Sequence, residues 1–311
     1  MVSETTLWFV FIAVFLVLMV FDLFFVERKG GVMSVKKAGS FVLLYITVAV
    51  LFGVLIYLSL DAVHATSYFA AYVIELSMSV DNLFVFIVLF ALFAIPAADQ
   101  HKVLFWGILG AIFFRAVFII VGAELLSRFD FMMYVFGILL LLTAFKTVFS
   151  KDDDGDQKES FAYKLSKHIR ATDDCSSNKF FTIENGVRVA TPLFLCLVVI
   201  ELSDLMFAFD SIPAALSITT DIFIVYASNI FAVLGLRSMF FVINGALTAL
   251  DYLKYGLGII LAFIGVKMLV SAADICEISV VASLAFILVV LAITIGASLI
   301  HRKHSIRSVD E

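Results

Sequence analysis

Val73-Ile-Glu-Leu-Ser77 recurs as Val199-Ile-Glu-Leu-Ser203, an offset of 126 residues. Both copies lie inside long apolar blocks, and both run on into further acids. The first reads Glu75-Leu-Ser-Met-Ser-Val-Asp81-Asn82; the second reads Glu201-Leu-Ser-Asp204 and then Asp210-Ser-Ile-Pro213-Ala. The match extends outward: Arg115 corresponds to Arg237 at an offset of 122. Asp130, Tyr134, Gly137, Ile138 and Lys146 correspond to Asp251, Tyr255, Gly258, Ile259 and Lys267, all at an offset of 121. One short match arises easily by chance; an ordered set across three consecutive apolar blocks does not, so the chain is expected to contain an internal repeat.

The blocks are bilayer spans. The 311-residue chain is 63% hydrophobic and 15% charged, with a mean hydropathy of +1.12. That is too little charge to cover a soluble domain. Nine apolar segments stand out, at 7–26, 39–58, 68–94, 103–124, 131–149, 192–216, 222–244, 252–270 and 279–300. Each is close to the length of helix that crosses ~30 Å of hydrocarbon. In lipid the backbone must satisfy its own hydrogen bonds, which makes these segments helices. The first has no basic region before it and no clear small-residue cleavage site after it, so it reads as a span and not as a leader.

Lysine and arginine set the orientation. With nine spans, one side of the membrane holds 16 of them and the other holds Arg128 alone; Arg115, Lys146, Arg237 and Lys267 fall within spans. The positive-inside rule then puts the N-terminus outside and the C-terminus in the cytoplasm. The net charge of -5 is unevenly placed and identifies no partner. The three cysteines, Cys175, Cys196 and Cys276, have neither disulfide-framework nor zinc-site spacing.

The expected fold is therefore all-α and polytopic, with nine transmembrane helices. Residues 1–66 hold two peripheral spans, 67–149 a three-helix repeat, 150–190 a cytoplasmic loop, 191–271 the second repeat, and 272–311 a ninth span and tail. Because three is odd, the second copy enters the membrane from the opposite face, which is the inverted repeat common in secondary transporters. The loop is read as a solvated linker with a short helix near 161–169. Its aspartate run from Asp152 lacks the glutamate of a calcium-binding loop.

Five carboxylates, Glu75, Asp81, Glu201, Asp204 and Asp210, interrupt the first helix of each repeat. Facing lipid and unpaired, each costs ~2.5–3.5 kcal/mol, roughly 12–18 kcal/mol for the set. They must face the bundle interior and share protons or cations. Glu201 and Asp204 share a helix face. Asp210 is ~9 Å further along and about 120° round, so one ion meets all of them only if the helix unwinds. Pro213 and the neighbouring serines make unwinding plausible, and freed carbonyls would then join carboxylates, amides and hydroxyls as hard oxygen donors. Such donors suit Mn²⁺, Ca²⁺ or Mg²⁺. Met78 and Met206 read as packing. Asn82, Ser211 and Asn229 are candidate secondary ligands. Arg115 and Arg237 are counter-charges, gates or fixed ion-pair partners. Asp22 is read as interfacial. The bland alternative is a buried polar network that only locks helices together.

These motifs, with Asn185-Gly-Val-Arg-Val-Ala-Thr-Pro192 and Ser228-Asn-Ile-Phe-Ala-Val-Leu-Gly-Leu-Arg237-Ser, resemble the TerC family of integral membrane proteins over about residues 5–300. The layout is most similar to its Alx/TerC branch. The resemblance implies manganese export, with Glu75, Asp81, Glu201, Asp204 and Asp210 as the metal site, in a bacterial inner membrane. The expected partners are the lipid bilayer, a divalent metal ion and protons, with no nucleic acid. Mn²⁺ is the expected substrate, with Ca²⁺ as the alternative, and no cofactor is held permanently. The leading reading is a transporter that exports Mn²⁺ in exchange for protons. The alternatives are a Ca²⁺/proton exchanger and a non-pumping membrane partner that supplies metal to secreted enzymes. An intramembrane acid protease is disfavoured, because five acids exceed a dyad. Oligomeric state is left open.

Overall fold

The computed structural model describes residues 4–26, 33–121, 130–149, 179–184, 186–247, 252–273, 275–276 and 278–307, with some side chains inside these helices, Asp210 among them, outside the described set. Ten helices and one hairpin follow in order. They are α1 (Glu4–Val26), α2 (Val35–Ser59), α3 (Ala62–Leu92), α4 (Ala97–Val121), α5 (Asp130–Phe149), β1 (Phe181–Glu184), β2 (Val187–Ala190), α6 (Pro192–Ile218), α7 (Ile222–Leu234), α8 (Leu236–Leu247), α9 (Leu253–Ala272) and α10 (Val280–Arg307).

The all-α, polytopic membrane architecture holds. Eight described segments are helical, long and apolar enough to cross a bilayer; α7 and α8 together make one of them, Ile222–Gly245. The expected fifth span, 131–149, coincides with α5, whose described apolar stretch, Met133–Phe149, is shorter than the rest. The expected single helix over 222–244 is interrupted at Gly235. Glycine gives the least support to a helix interior of any residue but proline, so the ladder yields there.

Side chains cap several starts. Ser34 accepts the Lys37 N–H, Asp61 accepts the His64 N–H at 2.8 Å, and Asp221 accepts the Phe223 and Ile224 N–H groups at 2.8 and 3.3 Å. Each satisfies donors that a helix start leaves without an intrahelical partner. Within the expected linker, β1 and β2 form an antiparallel hairpin from Phe181↔Ala190 to Glu184↔Val187. Its two-residue connection is Asn185-Gly186, and Gly186 has φ 78. Glycine adopts that left-handed value without steric cost, and Asn-Gly is a strong hairpin signal. The reading of 150–190 as linker alone is thus corrected; its short helix near 161–169 lies outside the described residues. The Thr191 hydroxyl donates to the Lys179 and Phe180 carbonyls at 2.8 and 3.1 Å, tying the hairpin to the start of α6.

Helix α3 is central. It packs on α2, α6, α7, α8, α9 and α10. Every residue from Asp81 to Phe90 is buried, as expected of a helix enclosed by protein on all sides. An aromatic cluster joins α1, α2 and α7 to the start of α3. Phe52 and Phe231 stand 4.9 Å apart between ring centroids, Trp8 and Phe223 5.0 Å, and the Tyr68 hydroxyl donates to the Ala49 carbonyl. A larger core joins α3, α4, α6, α8, α9 and α10.

Contacts between the two expected repeats are reciprocal. α3 packs on α7 as α4 packs on α6, and α5 lies along α9. In that last pair the backbones nearly touch. A Cβ on Gly137 would stand 3.0 Å from the Gly265 carbonyl oxygen, and one on Gly258 would stand 3.4 Å from that of Ala144. Small residues permit such close approach in membranes. As one residue number rises by seven the partner's falls by seven, so α5 and α9 run antiparallel.

Candidate functional site

Glu75, Asp81 and Asp204 face the protein interior, but two basic side chains reach them first. Glu75 and Asp204 meet on Arg115 of α4. The guanidinium grips Asp204 in a two-pronged pair, Nε to Oδ2 and a terminal nitrogen to Oδ1, both at 3.1 Å, and also donates to Glu75 Oε1. Asn229 of α7 accepts from Arg115 at 2.5 Å and donates to Glu75 Oε2 at 3.0 Å; Asn82 of α3 donates to Asp204 Oδ1 at 3.2 Å. All five residues are at most 4% exposed. The network crosses four helices, and a planar five-donor fork is the group that can serve so many acceptors at once.

Asp81 is held elsewhere. Its Oδ2 accepts from Ser283 of α10 at 3.0 Å and lies 3.5 Å from the Lys267 ammonium of α9. Its Oδ1 has no partner among the described residues. Glu201 sits against α4 where Gly110 makes room: a Cβ there would collide with the carboxylate. Glu201 Oε2 also has no partner among the described residues. The side chain of Asp210 lies outside the described set. The structure therefore brings Glu75 and Asp204 together and sets Asp81 and Glu201 among other partners. Among the described residues, no three acidic, histidine or cysteine side chains form a group able to hold one metal ion.

The expected unwinding beside the acids does not occur. α3 runs unbroken from Ala62 to Leu92, and α6 from Pro192 to Ile218 with Pro213 inside it. The charges of Glu75, Asp204 and Asp81 are met by side chains of neighbouring helices, so no freed carbonyls are needed to hold them.

Asp22 corrects another expectation. It is not a solvated interfacial group but is buried, accepting from the Tyr45 hydroxyl at 3.0 Å and from Arg237 at 2.5 Å. Arg237 thus pairs with α1 and not with the acids of α6, although its repeat counterpart Arg115 sits on acids. Its Nε and remaining terminal nitrogen have no partner among the described residues. A small cavity lies between α3, α4, α6 and the α7–α8 span, with Asp204 and Arg237 the charged residues among its described lining. Ser228 donates to a backbone carbonyl within its own helix, and Met206 is core. Two residues of the site were not singled out from sequence, Lys267 and Ser283. The repeat did place Lys267 opposite Lys146; nothing in the sequence marked Ser283.

A multi-span membrane protein with buried carboxylates on its central helices is the class that this fold and site define. The chain belongs to the TerC family of integral membrane proteins, whose family model matches residues 60–305. It is 41% identical over 305 residues to an uncharacterized membrane protein of Myxococcus xanthus, covering 98% of this chain and 95% of that one. It is 42% identical over 264 residues to an uncharacterized membrane protein of Rickettsia felis, covering 85% and 88%. It is 39% identical over 303 residues to an Escherichia coli protein named "Putative membrane-bound redox modulator Alx", covering 94% of each. No solved structure matches the chain.

Proposed function

We propose that this chain moves a divalent metal cation, Mn²⁺ before Ca²⁺, out across a bacterial inner membrane in exchange for protons. Nine spans with the N-terminus outside, and two three-helix halves inverted with respect to each other, form its frame. One observation carries the reading. Of the six buried side-chain oxygens without a partner among the described residues, five lie on α3 or α6: Ser79, Asp81, Asn82, Glu201 and Ser211. Buried polar atoms nearly always find a partner, so a concentration of unmet oxygens needs an explanation. A hard cation is the ligand such oxygens suit. The inverted frame draws support from the antiparallel α5–α9 pair and from the reciprocal packing of α3 on α7 and α4 on α6. In this reading one half rocks against the other to open the site to each side in turn.

Mn²⁺ is favoured by kinship with the TerC family; the oxygen donors are equally compatible with Ca²⁺. A second reading is a membrane partner that does not pump, and the Arg115 network, which is by itself a strong helix lock, favours it. Metal flux into proteoliposomes separates the two. Purified wild type is compared with Asp81→Asn and Asp210→Asn, using Mn²⁺ and Ca²⁺ with and without an imposed proton gradient. Gradient-dependent Mn²⁺ flux that both substitutions abolish is the expected result. Folded wild type that carries no metal, or flux unaffected by both substitutions, would overturn the transporter and leave the partner protein.

A further inference from the structure

Two internal cations face the acids, and they hold them differently. Arg115 makes a two-pronged pair with Asp204 and also serves Glu75 and Asn229, so releasing it breaks several bonds together. Among the described residues Lys267 makes one polar contact, to Asp81 Oδ2 at 3.5 Å, longer than the ~2.7–2.9 Å of a tight charge-assisted bond. Its ammonium is a compact charge on a flexible four-carbon stem, and the side chain is 11% exposed, where that of Arg115 is 1% exposed. The second oxygen of Asp81, Oδ1, stays unpartnered among the described residues, while Ser283 steadies the first from α10. The site is thus a buried carboxylate held by one long contact to a flexible-stemmed cation, with one oxygen unpartnered among the described residues.

We propose that Lys267 is a tethered competitor for the metal: its ammonium neutralises Asp81 while the site is empty and withdraws when a divalent cation takes that carboxylate. This rests on the transport reading above. At Asp81 one cation replaces another, so the proton exchange of the transport reading falls to the other acids. A tethered competitor weakens binding by the fraction of time it occupies the site, so that release on the far side stays easy. Arg115, by contrast, is a fixed strut that stays with Glu75 and Asp204.

The test uses full-length purified protein in detergent, with Mn²⁺ binding measured by calorimetry and thermal unfolding followed with and without Mn²⁺. Lys267→Met removes the competitor. Mn²⁺ should then bind about tenfold tighter, as expected when an occlusion of roughly nine parts in ten is lifted. The metal-free variant should melt below wild type, because Asp81 is left without a cation, and Mn²⁺ should raise its melting temperature by more than it raises that of wild type. Lys267→Arg should bind Mn²⁺ more weakly than wild type, since a forked donor holds a carboxylate harder. If Lys267→Met does not fold, Lys267→Gln carries the same comparison. A merely structural lysine predicts a lower melting temperature with unchanged or weaker Mn²⁺ binding, and that result overturns the inference alone. Asp81→Asn that binds Mn²⁺ as wild type does also overturns it, while leaving transport to the other acids. Wild type that binds neither Mn²⁺ nor Ca²⁺ overturns this inference and the transport reading together.

Discussion

Arg115 on α4 and Asp204 on α6 face each other as a two-pronged ion pair, with both nitrogen–oxygen distances 3.1 Å, buried between helices from different halves of the chain. Asp204 has no acidic counterpart in the first half, where the corresponding residue is Met78. The extra acid draws Arg115 across the interface and leaves Arg237 to find Asp22. Removing the cation strands two buried carboxylates. Arg115→Met should therefore lower stability by about 3–5 kcal/mol, the usual cost of breaking a buried pair. Arg115→Lys should restore only part of it, because an ammonium cannot reproduce the fork. Thermal unfolding in detergent measures both. A double-mutant cycle with Asp204→Asn should show strong coupling, with the double variant more stable than the sum of the single losses predicts.

The Asp22–Arg237 pair gives a second prediction. Asp22→Ala leaves Arg237 buried with no partner among the described residues, and should cost about 3–5 kcal/mol. Tyr45→Phe removes only the hydroxyl that donates to Asp22 and should cost about 1.5–3 kcal/mol, the range for a hydrogen bond to a charged group. Equal stability of Asp22→Ala and wild type would show that this end of α1 is not tied to α8.

The α5–α9 contact predicts a contrast between glycines. A Cβ on Gly265 would stand 2.9 Å from the Gly137 carbonyl, so Gly265→Ala should force the helices apart and cost roughly 1–3 kcal/mol. Gly296 in α10 has nothing within 4 Å of where its Cβ would go. Gly296→Ala should be neutral or stabilise by up to about 1 kcal/mol through helix propensity alone. Unfolding midpoints of the two variants, compared in one detergent, check the order.

Gly110 and Glu201 fit together sterically. The missing side chain of Gly110 is where the Glu201 carboxylate sits, so in the transport reading Gly110→Ala should displace that carboxylate and slow metal flux, as Glu201→Gln should. Adding Gly110→Ala to Glu201→Ala should then have little further effect, since the smaller side chain leaves room. Flux in proteoliposomes across the three variants reads this out.

At the start of α3 the expectation concerns pH. The backbone N–H and the side chain of His64 hold the Asp61 carboxyl below its ordinary value of 3.8. A group depressed in the folded state stabilises above its unfolded pKa and loses that contribution as pH falls through the folded value. The first turn of α3 should therefore fray only below about pH 4, seen as faster amide hydrogen exchange near His64. Asp61→Asn, which still caps, should remove the pH dependence, and Asp61→Ala should fray the turn at every pH.

What the sequence determined by itself was whatever depends on near neighbours in the chain or on bulk composition. Apolar block length dictates spanning helices, because an unsatisfied backbone is too costly in lipid. The recurrence of Val-Ile-Glu-Leu-Ser with its trailing glycines and lysines marks two similar halves. The acids within spans must turn inward, and Glu75, Asp81 and Asp204 do. Asn185-Gly186 carried a hairpin signal that the polar character of its surroundings obscured. Partner choice was not legible, because it depends on which helices meet in three dimensions. Arg115 and Arg237 occupy equivalent places in the repeat, yet one joins Glu75 and Asp204 and the other joins Asp22 on a helix outside both halves. Ser283 reaches Asp81 from 202 residues away. The tertiary structure also decided that α3 and α6 stay helical beside their acids. Side chains from α4, α7, α9 and α10 supply the opposite charge and hydrogen bonds to Glu75, Asp81 and Asp204, and a helix so supported has no reason to open its backbone.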